Sequence, residues 1–175
     1  MKYNPNFVLV ARLLWKRSNN LFKLPLISLF FLSQVAVAQS KYIQKYRPMA
    51  DSLSGVYGVP VSVMLGIAIM ESASGTSRNC KLLNNHFGIV GKNDLLKTKG
   101  IKSRYKQYQD AQASYVDFCK LMAKKKFYKN LKGNSDYKLW ADSISKAGYS
   151  EIPDIWKQRL IAIIQKNKLS ALDRN

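Results

Sequence analysis

The sequence predicts a mainly α-helical domain (α+β in class) with one small β or irregular lobe. Three observations predict it. Apolar residues recur at helical spacing in several stretches, each bounded by a start or stop signal. One of these, Val59 to Met70, is apolar on every side, as in a helix buried within a core. Between Arg78 and Lys102 the helical pattern gives way to loop-like sequence.

The elements follow in order. Residues 1–38 read as a signal peptide. Lys2, Arg12, Lys16, Arg17 and Lys23 form a basic leader with no acid, Leu24 to Ala38 is mostly apolar, and Ala36-Val37-Ala38 is a small-x-small cleavage signal before Gln39. An uncleaved anchor is the competing reading. Residues 39–175 are expected to form one domain, large enough to bury a core unaided. Pro48 is placed to open a helix to Tyr57, with Met49, Leu53 and Val56 on one face. Pro60 suits the first position of the buried helix. Gly66 within that helix permits close helix approach, and Ser74-Gly75 ends it. Short strands are expected around Phe87–Val90 and Ile101–Tyr105. Asp110 is placed to cap a helix running to about Lys124, and Ser135 another that Gly148 terminates. Pro153 opens the last helix, with Trp156, Leu160, Ile163 and Ile164 inward.

Charge narrows the partners. The formal net charge is +19, and removing five leader cations leaves +14. Such a surface attracts polyanions. An export signal, and the lack of zinc spacing or a nucleic-acid-binding motif, argue against nucleic acid. At an envelope the available anions are wall carboxylates, phosphorylated surface glycans and the membrane surface. Cys80 and Cys119, with His86 as the one histidine, cannot make a structural zinc site. No metal or cofactor is expected. Export permits a Cys80–Cys119 disulfide, which is expected over two separate buried thiols.

Glu71 carries the chemistry. It ends the apolar run and precedes Ser72-Ala73-Ser74-Gly75-Thr76-Ser77. Burial and the negative end of a helix both favour a protonated carboxyl, the form a general acid needs. A Glu that only bonds to a nearby hydroxyl or backbone group is the plainer alternative. Ser72, Ser74 and Ser77 lack a histidine in a nucleophile-activating arrangement.

Several motifs share one order: Tyr57-Gly58-Val59-Pro60; Ala68-Ile69-Met70-Glu71-Ser72 with Gly75-Thr76-Ser77; Asn84-Asn85-His86-Phe87-Gly88-Ile89; Arg104-Tyr105 with Tyr108; Ser114 with Asp117-Phe118; and Ala147-Gly148-Tyr149-Ser150 before Pro153. This order resembles the glucosaminidase domains of peptidoglycan hydrolases, the glycoside hydrolase family 73 type of flagellar muramidases and autolysins. The resemblance runs from about Ile43 to Lys168. It implies a lysozyme-like α lobe facing a small β lobe across a substrate cleft. It also implies an exported enzyme, in the periplasm, cell envelope or medium. Such an enzyme, most simply a monomer, cuts the β-1,4 bond between N-acetylglucosamine and N-acetylmuramic acid in peptidoglycan glycan strands.

By motif position the resemblance makes Glu71 the acid. The family's second acidic residue, ahead of Arg-Tyr, has no clear counterpart, because Val90 to Arg104 offers only Asp94. Either Asp94 supplies it, or the substrate's own N-acetyl oxygen attacks the anomeric carbon, with Tyr149 orienting or polarising the acetamide. Tyr149 as a packing aromatic is the alternative. Asn85 either holds loop geometry or binds sugar hydroxyls. Phe87 is either core or a stacking platform. Tyr105 and Tyr108 either line the cleft or are ordinary strand aromatics, and His86 reads as a loop or cleft-lining residue. Two competing functions remain: a lytic transglycosylase, which needs one acid, and a non-catalytic peptidoglycan-binding module.

Overall fold

Helix α1 spans Lys23–Tyr57 and contains Pro48, which the sequence had opening a helix rather than standing inside one. This computed structural model describes residues 23–173; residues 1–22, most of the expected leader, lie outside them. A proline inside a helix costs about 3 kcal/mol. Burial on both sides of it offsets that cost: Tyr42 precedes Pro48, Ala50 and Leu53 follow, and all three enter the core. The chain divides between Ala38 and Gln39 into two units, and the core belongs to the second. No helix among the described residues is long and apolar enough to cross a membrane.

Helix α2, Val61–Ser72, is the centre of that core, with every residue from Val61 to Ile69 buried. Pro60 stands at its N-cap, one position before the expected one, and offers no side-chain cap. Asp173, from the far end of the chain, takes over by accepting from the Ser62 N–H (2.9 Å) and hydroxyl. A negative side chain there also suits the helix dipole. Gly66 lies where a Cβ would come within 2.9 Å of Leu160 and Ile164 side-chain atoms, so the expected close helix approach is real. The helix ends through Ala73, Ser74 and Gly75, all at positive φ. Ser72 Oγ pins this turn by donating to Ala68 O (2.6 Å) and accepting from Gly75 N (2.8 Å).

The stretch expected to be loop and strand is mostly irregular but contains two short helices. Helix α3 is Arg78–Leu83, capped by Ser77, and α4 is Leu95–Lys99. Of the two expected strands, a single antiparallel bridge, Val90 to Tyr105, is present among the described residues. Side-chain amides supplement the few backbone bonds of this bridge, which run from Gly91 N to Arg104 O (3.0 Å) and from Lys106 N to Ile89 O (2.8 Å). Asn93 Nδ2 donates to Ser103 O (2.9 Å) and Tyr105 O (2.8 Å). Asp117 of α5 ties this lobe to the helices by accepting from Lys106 Nζ (2.7 Å) and Tyr108 OH (2.8 Å).

Helix α5, Ala111–Ala123, is capped by Asp110 as expected. Helix α6, Tyr128–Leu131, had no signal in the sequence reading. Helix α7, Tyr137–Lys146, is capped by Asp136 rather than Ser135. Gly148 follows α7 at φ +76. Helix α8, Pro153–Lys166, starts at Pro153 and buries Trp156, Leu160 and Ile164. A 3-10 turn, Leu169–Leu172, closes against α2. Within residues 39–175 the bridge and α4 belong to an irregular segment between α3 and α5.

The expected disulfide is not formed. Cys80 and Cys119 are both free and buried. Their thiols have different neighbours: Cys80 Sγ lies 3.6 Å from both ring nitrogens of His86, and Cys119 Sγ 3.5 Å from Met64 Sδ. Each is held by its own packing, so permissive chemistry does not bring them together.

Candidate active site

A cleft of about 660 Å³ opens where the end of α2, the irregular lobe and the start of α8 meet. Glu71 lies in it, one residue before the end of α2. It is half-buried, and the left-handed turn directly after α2 fixes where its backbone stops. Its Oε1 accepts from the Trp156 indole N–H at 2.9 Å. Its Oε2 lies against Gly88, where an added Cβ would approach it to 3.2 Å. Gly88 is also at φ +65, so glycine serves both the turn and the close approach.

Burial raises the Glu71 carboxyl above the usual glutamic range, and the Trp156 N–H offsets part of that rise. An indole nitrogen donates only. Oε1 therefore stays an acceptor, and when the carboxyl is protonated its proton belongs on Oε2, the oxygen beside Gly88. The arrangement is a carboxylic acid with one oxygen occupied and the other free to donate.

Tyr149 reaches the same cleft, its ring centroid 5.2 Å from that of Trp156. Its hydroxyl donates to Phe87 O at 2.8 Å, which fastens the turn carrying Gly88. Burial, with the charge of Glu71 adding to it, pushes the phenol well above its ordinary range, so it stays protonated. With its proton committed, the oxygen is left as an acceptor. Tyr105 also lines the cleft.

Four other expected site residues stand elsewhere. Asp94 is exposed at the N-terminal flank of α4 and lines a separate surface pocket with Lys92 and Gln107. Its backbone N–H bonds to Gln107 Oε1, as a loop residue would. Tyr108 is buried, with its hydroxyl on Asp117. Phe87 is core, stacked on Phe118 at 4.3 Å, and so is no sugar platform. Asn85 is buried and spends its amide on the loop: Nδ2 donates to Ile89 O and Lys106 O, both at 2.8 Å, and Oδ1 accepts from Phe87 N and Ile89 N. These four bonds hold the geometry of the loop. His86 is also not in the cleft. It is buried among Tyr42, Tyr46 and Tyr115, bonded to Tyr42 OH at 2.6 Å, and held neutral, its pKa lowered to about 4 by burial and the nearby Lys45 charge.

The cleft holds residues the sequence reading missed: Trp156, Arg104, Arg159 and Glu151. Trp156 and Arg159 are three apart in the last helix, one face by spacing, which was the available signal. Glu151 directly follows the Tyr149-Ser150 pair of the late motif. Among the described residues, no three His, Cys, Asp or Glu side chains converge in a metal-binding group.

The family model described as Mannosyl-glycoprotein endo-beta-N-acetylglucosaminidase, named Glucosaminidase, matches residues 47–169. The chain is 28% identical to Exo-glucosaminidase LytG of Bacillus subtilis (strain 168) over 85% of its own length and 66% of that protein's, just under two thirds. Among solved structures it resembles the catalytic domain of the autolysin Auto from Listeria monocytogenes (TM-score 0.64, 23% identity, 78% of this chain and 88% of that one). It also resembles a C-terminally truncated glycoside hydrolase domain of Salmonella typhimurium FlgJ (TM-score 0.60, 19% identity, 74% and 97%). At such identities these two likenesses establish a shared fold.

Proposed function

The chain belongs to the glucosaminidase family, and from that premise we propose that it hydrolyses peptidoglycan glycan strands on the reducing side of N-acetylglucosamine, with Glu71 as general acid. One observation carries this reading: Glu71 is a half-buried carboxyl in the large cleft, with Oε1 held by Trp156 and Oε2 free beside Gly88. A pre-oriented acid whose pKa is raised matches the need to protonate a departing glycosidic oxygen. The relatives named above as an exo-glucosaminidase, an autolysin and a glycoside hydrolase favour the same chemistry. Action at the envelope is part of the proposal, and the leader over residues 1–38 supports it.

Products test the reading. Digestion of purified peptidoglycan should yield new reducing N-acetylglucosamine ends, read after borohydride reduction by mass spectrometry. Anhydromuramic ends would instead identify a lytic transglycosylase. Binding without any release would identify a wall-binding module.

Trp156 is a positioning residue in this scheme. The acid form of Glu71 is needed, so activity is present below its pKa and lost as pH rises through it. The indole N–H favours the carboxylate and holds that pKa down. Trp156→Phe should therefore shift the alkaline limb of the pH–rate profile to higher pH and lower kcat, because Oε1 loses its anchor. A limb that stays in place or moves to lower pH would refute the role.

A further inference from the structure

Building on the glycan-hydrolase reading, we infer that Arg104 and Arg159 form a carboxylate-binding subsite in the Glu71 cleft, which makes acidic strands better substrates than neutral ones. Both arginines are exposed and line that cleft. Neither takes part in any of the ion pairs among the described residues, which occupy Asp51, Asp117, Asp142 and Asp154. The cleft has two carboxyls of its own. Glu71 is turned to Trp156, and Glu151 pairs with neither arginine. Two unpaired guanidinium groups in one groove repel each other and concentrate positive potential there. A ligand carboxylate relieves both effects, and the planar guanidinium fork is suited to binding one through two hydrogen bonds.

Position adds to the charge argument. Arg104 is set in place by the bridge: its carbonyl accepts from Gly91 N at 3.0 Å, and its guanidinium lies 5.6 Å from the centroid of the Tyr105 ring. Arg159 follows Trp156 by three residues in α8, on the same face and ~4.5 Å further along the axis. The bound anion would therefore share one cleft with the bond offered to Glu71. Two groups of one chemistry fit: the lactyl carboxylate of a muramic residue, and a carboxylate of the peptide attached to it. The neutral N-acetylglucosamine pair of a mannosyl-glycoprotein core has no such group.

The test uses peptide-bearing peptidoglycan and peptide-stripped strands, each with free carboxylates and again after amidation. Wild-type enzyme should show kcat/KM at least about tenfold higher on the acidic member of one pair, the scale of a single charge-assisted hydrogen bond. The difference should lie mainly in KM and shrink in high salt. In the Arg104→Gln/Arg159→Gln double variant the acid-to-amidated ratio should collapse toward one. A preference within the stripped pair identifies the lactyl carboxylate as the ligand, and one within the peptide-bearing pair alone identifies the peptide. Equal wild-type rates in both pairs, or a ratio that survives in the double variant, would overturn the subsite while leaving the hydrolase intact. Failure of wild-type enzyme to cut any of the four substrates would sink the hydrolase reading itself.

Discussion

Glu71→Gln should eliminate glycan cleavage, a loss of ~10²–10⁴-fold or more if the acid supplies an ordinary general-acid contribution. Glutamine keeps the shape, and its amide oxygen still accepts from the Trp156 indole, so the α2–α8 contact survives. What disappears is the transferable proton beside Gly88. The variant should melt no lower than wild type. It should be marginally more stable at neutral pH, because it no longer holds a carboxyl whose ionised form burial disfavours. The sign follows from linkage: a carboxyl with its pKa raised in the folded state contributes least once pH exceeds that pKa. Muropeptide release and a melting curve on the same sample check both statements. Release at the wild-type rate would remove Glu71 from the chemistry.

The second expected result concerns the group that complements the acid. Tyr149→Phe should cost between about fivefold and 150-fold in kcat, the rate equivalent of the ~1–3 kcal/mol lost when a buried polar partner goes unsatisfied. The hydroxyl has two tasks. It donates to Phe87 O and so holds the Gly88 turn against Glu71 Oε2. In the substrate-assisted mechanism its remaining lone pairs would accept the N–H of a substrate acetamide and so aim the acetamide oxygen at the anomeric carbon. Asp94→Asn should leave kcat within about twofold of wild type, since Asp94 is exposed outside the cleft and a group remote from the reacting atoms supplies none of the usual acid–base gain. Glu151 is the one other carboxylate lining the cleft among the described residues, so Glu151→Gln discriminates between mechanisms. Assistance by the N-acetyl group predicts a loss under about tenfold and retention of anomeric configuration. A base at Glu151 predicts ~10²-fold or more, with inversion. A dead Glu151→Gln beside an active Tyr149→Phe would establish the two-carboxylate mechanism.

Of the site positions read from the sequence, Glu71, Tyr149 and Tyr105 line the cleft. Glu71 stood out because a carboxylate at the end of a mostly apolar helix needs a partner or a proton, and the structure places it in the cleft. Asp110 and Pro153 marked their helices because capping and a fixed φ are local properties of one or two residues. Local signals failed where a distant residue decided the outcome. Pro48 stands inside α1 because core packing on both sides outweighs its intrinsic cost. The expected strands are cut down to a single bridge, around which the Asn85 and Asn93 amides bond backbone carbonyls from separate parts of the chain.

Helical class, the buried helix, the carboxyl at its end and the family resemblance could all be read from residue order alone. These rest on hydrophobic period, caps and residue order, all of which act over a few positions of chain. What faces Glu71 depends on packing between distant segments. Trp156 is 85 positions from Glu71 in the chain yet donates to its Oε1. Tyr149 reaches Phe87 across 62. The same packing moved Phe87, Tyr108 and His86 into the interior, left Asp94 in a different pocket, kept Cys80 and Cys119 apart, and turned Arg104 and Arg159 into the cleft. A side chain's chemistry is written in its type. Its partners are set by which surfaces the core brings together, and that depends on every helix at once.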